Sequence, residues 1–387
     1  MDDLEKELIA FSKIRPMALV LPCLYSELEG PALENIVEEL CQVPYLRQIV
    51  IGLDRATEAE YIHALEFFSR LPQEHKVLWN DGPRLQAIDK RLEQADLHPR
   101  ELGKGRNAWY CLGFVKGADL VESVALHDCD ILTYDRSMLA RLIYPVANPN
   151  FNYEFCKGYY ARVANDSING RVCRLLVTPL LRSLRKMFPD ETFVEYLDSY
   201  RYALAGEFSM RTDVINDIRI PSDWGLEIGV LSEMHRNYST NRLCQVDIAE
   251  TYDHKHQELS EDDENKGLSK MSIDISKAVF RKLATAGVTF SPETFRTVKA
   301  TYYRIALDFI ETYHNDAVIN GLSLDIDTEE RAVELFAENI MKAGNHFLEN
   351  PMETPFIHSW TRVNSALPDL ANDFMNAVDE DIKQYKN

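Results

Sequence analysis

The chain has 387 residues, of which 45% are hydrophobic and 27% are charged, a composition typical of globular proteins. It excludes collagen-like, disordered and small disulfide-stapled proteins. Its 42 Lys and Arg stand against 62 Asp and Glu, and the formal net charge of -20 disfavours a general attraction to nucleic acid or to an anionic membrane.

The N-terminal segment and the cysteines indicate where the protein works. MDDLEKELIAFSKIRP carries acids early and lacks the apolar core of a signal peptide, and no later run approaches the roughly 18 apolar residues of a membrane helix. The seven cysteines are scattered without a CxxC pair, which excludes a zinc ribbon and a secreted disulfide framework. We therefore expect a cytoplasmic protein.

Short apolar, β-rich runs alternate with amphipathic segments over the first 250 residues, which predicts an α/β fold on a mostly parallel sheet flanked by helices. The predicted strands are 17–24, 48–53, 76–80 and 123–130, and the predicted helices are 28–42, 57–71 and 105–117. The pattern is less regular from 154 to 253. Here the predicted strands are 155–163 and 201–210, and the predicted helices are 173–188 and 223–236.

A charged run, 258–267, then interrupts all periodicity and predicts a solvated linker. Apolar residues recur at helical spacing beyond it. The predicted helices there are 268–286, 293–313, 328–347 and 366–385. We therefore expect one domain over 1–257 and a helical C-terminal region over 268–387.

Two carboxylates follow an apolar run in the tripeptide Asp128-Cys129-Asp130. If this tripeptide continues the strand, both carboxylates face one side with their Cα atoms about 6.5 to 7 Å apart. At the carboxyl end of a parallel strand such a pair suits a divalent cation that bridges a diphosphate. The alternative is a solvated strand end, because D-x-D also occurs by chance.

Two histidines, His254 and His256, lie far downstream after a strand-like segment. They form either a surface loop pair or the source of one imidazole that joins the distant D-x-D. Mixed oxygen and nitrogen coordination suits Mg²⁺ or, with the imidazole, Mn²⁺.

Positive charge is concentrated at two places in this acidic chain. Lys104 lies between Gly103 and Gly105 at a predicted helix start, where backbone N–H groups and a lysine suit an anion. The second place is a basic island over 162–186 that includes Gly170-Arg171, a turn where a guanidinium suits a phosphate or carboxylate. A solvated basic helix face is the alternative for the rest of the island.

Two further acids have contrasting surroundings. Glu227 lies early in a predicted helix, where the helix dipole explains an acid without a functional role. Glu207 lies between a glycine and apolar residues and is harder to explain as a surface group. Either side chain could bind sugar hydroxyls.

Taken in chain order, these segments resemble the retaining glycosyltransferases of the glucosyl-3-phosphoglycerate synthase family over about 18–257. The matching segments are LPCLYSE (21–27), GKG (103–105), DCD (128–130), NGRVCRLLVTPLL (169–181), AGEF (205–208), DWGLEIGVL (223–231) and the loop that carries His254. The long helical tail resembles the larger members of the family and the related mannosyl-3-phosphoglycerate and mannosylglycerate synthases. The resemblance implies a GT-A fold over 1–257, with a nucleotide-binding part over about 17–130 and an acceptor part over about 131–257. It also implies Mg²⁺ or Mn²⁺, a nucleotide-sugar donor and 3-phosphoglycerate as acceptor.

The resemblance also implies roles for single residues, with Asp130, Glu227 and Lys104 as the candidate catalytic residues. The residues on the nucleotide-sugar side would be Pro22, Cys23, Leu24, Glu27, Asp54, Lys104, Asp128 and Cys129. The metal ligands would be Asp130, His254 and Asp128. The residues on the substrate side would be Gly170, Arg171, Cys173, Gly206, Glu207, Glu227 and His256. GLDRAT replaces a Ser/Gly-rich run of the family beside Asp54, and Cys173 stands where the family tends to have a hydroxyl residue.

The resemblance implies transfer of glucose from UDP-glucose to the 2-hydroxyl of 3-phosphoglycerate with retention of configuration. The product, glucosyl-3-phosphoglycerate, leads to the compatible solute glucosylglycerate. GDP-mannose-dependent transfer to (phospho)glycerate is an alternative. A sugar-phosphate nucleotidyltransferase fits less well, because the opening loop LPCLYSELEG has no basic residue. We expect a homodimer built by the helical tail, and no nucleic-acid or membrane partner.

Overall fold

A seven-stranded sheet lies at the centre of the structure, a computed structural model that describes residues 2–254 and 266–386. The strands are β1 (Met17–Leu24), β2 (Leu46–Asp54), β3 (Glu74–Trp79), β4 (Ser123–Leu126), β5 (Phe155–Tyr160), β6 (Val163–Ala164), β7 (Ser167–Ile168), β8 (Phe208–Arg211) and β9 (Leu243–Ala249). The order in the sheet is β3-β2-β1-β4-β8-β5-β9, and β6 with β7 forms a separate small hairpin.

The sheet has a parallel half and a mixed half. β1 pairs in parallel with β2 and β4, and β2 pairs in parallel with β3. β8 runs antiparallel between β4 and β5, and β5 pairs in parallel with β9. The predicted α/β fold is therefore confirmed.

Helices cover both faces of the sheet. They are α1 (Asp2–Phe11), α2 (Pro31–Leu40), α3 (Glu58–Phe68), α4 (Pro83–Gln94), α5 (Lys104–Ala118), α6 (Arg136–Ala147), α7 (Thr178–Met187), α8 (Thr192–Asp198), α9 (Val214–Asp217), α10 (Leu226–Asn237), α11 (Gly267–Thr285), α12 (Pro292–Ile319), α13 (Ile326–Glu349), α14 (Trp360–Ala366) and α15 (Leu370–Tyr385). None of these helices is long and apolar enough to cross a bilayer.

Strand β1 explains why the core has two layers. Ala18 and Val20 face the layer that holds α4, α5, α7 and the C-terminal helices, whereas Leu19 and Leu21 face the layer of α2, α3 and α6. A strand buried on both faces is apolar at nearly every position, so its sequence forms a continuous run. The prediction of strand 17–24 is confirmed with the same bounds.

Several predicted bounds differ from the structure. β4 ends at Leu126 and not at 130. The segment predicted as strand 201–210 is extended and paired only from Phe208 onward, because the chain turns before Gly206. The apolar spacing did not predict α4 or α6, and α6 contains Pro145, which sequence rules take as a helix breaker.

The C-terminal helices pack on the rest of the chain. α12 lies on α7, α11 on α13, and α15 returns to α4, α5 and β3. Trp360 of α14 stacks on Trp109 of α5 with ring centroids 4.3 Å apart. Buried residues of α11–α15 thus belong to the same apolar cluster as α5 and one face of the sheet.

We predict that Gly113→Ala lowers the free energy of unfolding by about 1 to 2 kcal/mol. A Cβ on Gly113 would lie 1.9 Å from Trp360 Cζ2, in a ring that also stacks on Phe374. Overpacking outweighs the roughly 1 kcal/mol that Ala gains over Gly within a helix. Urea denaturation followed by circular dichroism measures the change.

Gly117→Ala, in the same helix, is the matched control. Its added Cβ would lie 3.3 Å from the flexible Met375 Sδ, so we expect neutral or slightly increased stability. Equal free energies of unfolding of the two variants would show that the Trp109–Trp360 stack does not restrict the space at Gly113.

Candidate active site

The D-x-D tripeptide lies just beyond the carboxyl end of β4. The prediction that it belongs to the strand is wrong, since β4 ends at Leu126 and only the His127 N–H still donates to Val20 O. Downstream, Ile131 pairs with His254, and this pairing places His254 Nδ1 3.8 Å from Asp130 Oδ2. The structure therefore brings the distant histidine beside the D-x-D, as the sequence predicted for His254.

Lys104 bridges two carboxylates at the start of α5. Its Nζ lies 2.7 Å from Asp128 Oδ1 and 3.2 Å from Glu227 Oε1. Burial alone would lower the pKa of Lys104, but the carboxylates of Asp128 and Glu227 outweigh it and raise the pKa above its ordinary value. The ammonium group therefore stays charged between them.

A close approach of two backbones sets the position of Lys104. A Cβ on Gly105 would lie 1.9 Å from Pro221 O, so only glycine lets the start of α5 reach the turn before α10. That turn leads to Glu227 in the first turn of α10. Two segments more than 100 residues apart thereby present Lys104 and Glu227 to each other.

Glu207 is fully buried and accepts two phenolic hydrogen bonds. Tyr252 OH donates at 2.7 Å and Tyr160 OH donates at 3.0 Å, and the two rings stack with centroids 3.5 Å apart. Burial and the nearby Asp128 carboxylate raise the pKa of Glu207. A Cβ on Gly206 would lie 2.3 Å from Asp128 Oδ2, so this turn lies directly against the D-x-D.

The carboxylates give this part of the molecule an excess of negative charge. Burial, followed by the neighbouring Asp128 carboxylate, raises the pKa of Asp130 to about 7. Within residues 2–254 and 266–386, no three His, Cys, Asp or Glu side chains are grouped closely enough to form a complete metal site. Asp130 and His254 form an oxygen and nitrogen pair that suits one side of a bound cation.

Five of the residues predicted for the nucleotide side lie at or just after the carboxyl ends of β1 and β2, namely Pro22, Cys23, Leu24, Glu27 and Asp54. Cys23 is buried against Cys129 of the D-x-D, whereas Leu24 is 37% exposed. Pro22 and Glu27 are half-buried. Pro22, Leu24 and Glu27 are therefore accessible to a ligand, whereas Cys23 and Cys129 close the space beneath them.

Asp54 is buried at the end of β2. Asn80 Nδ2 donates to its Oδ1 at 2.8 Å, and Arg106 Nη1 lies 3.8 Å from the same oxygen. Burial raises the pKa of Asp54 to about 6.

The basic island separates into two groups of arginines. Arg182 and Arg185 bind Asp198 of α8 with half-exposed side chains, in agreement with the predicted solvated helix face. Arg171 and Arg174 bind Glu329 of α13 instead. Gly170, just before Arg171, has a φ of +74°, and a π-helical segment, Val172–Val177, contains the buried Cys173 and leads into α7.

Sequence reasoning missed Lys157, and it placed Arg162 in the basic island without predicting its contact with His254. Lys157 of β5 is fully buried and donates to Ala205 O, and burial lowers its pKa to about 8. Arg162 Nη1 lies 2.6 Å from His254 Nε2. A lysine in the middle of the otherwise apolar strand FCKGYY is a signal that could have identified Lys157. His256 lies outside the described residues.

The comparisons with known proteins support the sequence resemblance, although no family model matches the chain. A glucosyl-3-phosphoglycerate synthase of Persephonella marina is 45% identical over 98% of this chain and 94% of its own length. The enzyme of the same name from Methanococcoides burtonii is 39% identical over 99% of this chain and 95% of its own length.

A solved structure has a similar fold at lower identity. The glucosyl-3-phosphoglycerate synthase of Mycobacterium tuberculosis, in complex with Mn²⁺, UDP-glucose and phosphoglyceric acid, has a TM-score of 0.55. It is 20% identical, and the match covers 74% of this chain and 85% of that one. The near full-length identities decide the assignment, and the chain belongs to the glucosyl-3-phosphoglycerate synthase family.

Proposed function

We propose that the chain transfers glucose from UDP-glucose to the 2-hydroxyl of 3-phosphoglycerate with retention of configuration. The observation that carries this proposal is the 45% identity, over 98% of the chain, to an enzyme named for that product. Positive and negative side chains meet at the carboxyl end of the sheet, where ligands of α/β proteins bind. The positive groups suit the phosphates of the donor and the acceptor, and the carboxylates suit a cation and the sugar hydroxyls.

The donor would lie above β1 and β2. The nucleoside pocket would be lined by Pro22, Cys23, Leu24 and Glu27. Asp54 and Cys129 would lie beneath these residues and form the floor of the pocket. Lys104 would meet the diphosphate, because a charged ammonium at a helix start suits phosphate oxygens. Its present partners, Asp128 and Glu227, hold that ammonium in place.

Asp130 and His254 would hold Mg²⁺ or Mn²⁺, and Asp128, which contacts Lys104 in the structure, would turn toward the cation to join them. The pKa of Asp130 is raised first by burial and second by the neighbouring Asp128 carboxylate, and a bound cation would offset both effects by favouring the charged form. Bound there, the cation would stabilise the negative charge that develops on the departing diphosphate. Arg162 Nη1 faces His254 Nε2 and can only donate, so this contact uses the lone pair of the imidazole, and cation binding by His254 would require Arg162 to move away.

Glu227 and Glu207 would accept hydrogen bonds from the sugar. Glu227 keeps part of its side chain exposed, whereas Glu207 is fully buried behind two tyrosines. Contact between Glu207 and a sugar hydroxyl therefore requires one phenolic bond to be exchanged. Neither carboxylate needs to act as a covalent nucleophile in this proposal. The acceptor hydroxyl would attack from the face that the diphosphate leaves, the bond from the sugar to the diphosphate would break, and the hydroxyl proton would pass to the departing diphosphate.

Arg171 would bind the acceptor phosphate, with Gly170 and Cys173 at the same turn. A guanidinium binds phosphate through two parallel N–H donors, which a point charge cannot reproduce. In a chain with a net charge of -20, a small polyanion needs such a local basic site.

We also propose a domain arrangement and an assembly for the chain. The GT-A domain would span 1–257, followed by a linker over 258–267, of which 258–265 lie outside the described residues, and by the helical region 268–387. A cytoplasmic homodimer is the proposed assembly, with its contact at the turn between α12 and α13. The exposed side chains of Val318 and Ile319 favour this surface.

For the metal site, we predict that Asp130→Ala and His254→Ala each abolish most turnover and leave the fold intact, because both side chains lie at the edge of the site. Calorimetric titration of Mn²⁺ in the presence of UDP measures the loss of cation affinity, and circular dichroism checks the fold. Asp198→Asn, a substitution distant from the D-x-D, is the control. If both variants bind Mn²⁺ with unaltered affinity, Asp130 and His254 are not the metal ligands.

For the acceptor, we predict that Arg171→Ala raises the KM for 3-phosphoglycerate about 10- to 100-fold, because one charge-assisted contact contributes roughly 1.5 to 3 kcal/mol. The KM for UDP-glucose should stay nearly unchanged. Arg171→Lys should restore only part of the loss. Steady-state kinetics with UDP-glucose or GDP-mannose, each with 3-phosphoglycerate or glycerate, measures all of these effects.

The same kinetic matrix decides between the proposed reaction and its alternatives. The wild type should prefer UDP-glucose with 3-phosphoglycerate. Preference for GDP-mannose would favour mannosyl transfer, and equal use of both acceptors would show that Arg171 does not recognise the phosphate.

For the assembly, we predict that light scattering at micromolar concentration gives twice the chain mass. Replacing both Val318 and Ile319 with Ser should shift the protein toward the monomer, because these apolar side chains would lose their contact. A monomeric wild type would refute the dimer.

A further inference from the structure

The acceptor segment is held from outside by the C-terminal helices. Glu329, in the first turn of α13, has a side chain that is 2% exposed. Its Oε1 lies 2.9 Å from Arg171 Nε, and its Oε2 lies 2.8 Å from Arg174 Nη1. One buried carboxylate thus binds two arginines from a segment 158 residues earlier in the chain.

The two arginines are engaged to different extents. Arg174 also donates to Asn169 O and Ile168 O, and its guanidinium lies 4.8 Å from the centre of the Tyr313 ring. The Arg171 side chain meets Glu329 through Nε alone and makes no other hydrogen bond or ion pair within residues 2–254 and 266–386. The pair of terminal nitrogens, which suits a phosphate, is therefore not used by this contact.

A second contact attaches the same segment to the tail. Ser323, between α12 and α13, donates from its N–H to Asp166 O at 2.7 Å, and its Oγ lies 2.7 Å from Ser167 Oγ. Asp166 and Ser167 belong to the β6–β7 hairpin, just before Gly170. The tail thus holds both the turn of the hairpin and the Arg171 side chain. These contacts limit the motion of the Arg171 guanidinium before any ligand binds.

We propose that Glu329 is a positioning residue for the acceptor. It holds the Arg171 guanidinium by its Nε edge and leaves the terminal N–H pair for the phosphate, so that the helical tail sets the preference for a phosphorylated acceptor. This inference rests on the proposed function, in which Arg171 binds that phosphate.

The chain offers a matched control in Asp198. Its carboxylate also joins two arginines, Arg182 Nε at 2.9 Å and Arg185 Nη1 at 2.8 Å, and its side chain is 4% exposed. Asp198 lies on α8 and makes no described contact with the Arg171 turn. Asp198→Asn therefore removes an equivalent buried charge without acting on Arg171.

The test is steady-state kinetics of full-length Glu329→Gln, with and without Arg171→Ala. We expect the KM for 3-phosphoglycerate to rise about three- to tenfold, the effect of releasing one preorganised side chain. The kcat and the KM for UDP-glucose should stay within about twofold, and the KM for glycerate should not change. With Arg171→Ala present, Glu329→Gln should add less than about twofold, because Glu329 acts through Arg171.

Two further variants make the result decisive. Glu329→Asp keeps the charge and shortens its reach, so it should give an intermediate KM, and it carries the test if Glu329→Gln does not fold. Asp198→Asn should leave the KM for 3-phosphoglycerate unchanged. An unchanged KM in the folded Glu329 variants overturns the inference, and so does an equal rise with and without Arg171.

The failure of the inference can be distinguished from the failure of the proposed function. If Arg171→Ala raises the KM for 3-phosphoglycerate and Glu329→Gln does not, only the positioning role is lost. If Arg171→Ala itself leaves that KM unchanged, the acceptor assignment fails and the positioning role fails with it.

Discussion

The arrangement of the site depends on several carboxylates that are grouped around the ammonium group of Lys104. Asp128 and Glu227 come from separate elements and meet at Lys104 Nζ, while Glu207 is buried behind them. Without that positive charge, like charges so close together would repel one another in a poorly solvated site. The lysine lets these acids coexist, and their excess negative charge would in turn favour the cation proposed for Asp130.

The glycines around Lys104 show how tightly this arrangement is built. Gly105 allows contact with Pro221 O, and Gly206 allows contact with the Asp128 carboxylate. A methyl group at either position would collide with backbone or with a charged side chain. Close packing at these two glycines therefore places the charged side chains next to one another.

The C-terminal helices complete the core and also reach the acceptor segment. Trp360 stacks on Trp109 on one side of the molecule, whereas Glu329 binds Arg171 and Arg174 on another. A buried carboxylate between two guanidinium groups keeps all three groups hydrogen-bonded or ion-paired, and removing one partner would leave a charge poorly compensated. The tail is thus linked to the proposed acceptor site by the same charge pairing that orders the centre of the site.

The sequence by itself determined the elements whose signal is local. Strand β1 was predicted with its bounds, because a strand buried on both faces is apolar along its length, and the ordered motifs identified the family. Only the tertiary structure decided which charges meet. Glu329 lies on a helix 158 residues after Arg171, so no local spacing predicts their contact. The apolar strand around Lys157 marks this lysine as buried, but only the fold shows that it donates to Ala205 O. Periodicity records the face that a residue occupies, whereas the pairing of charges depends on chain segments that only folding brings together.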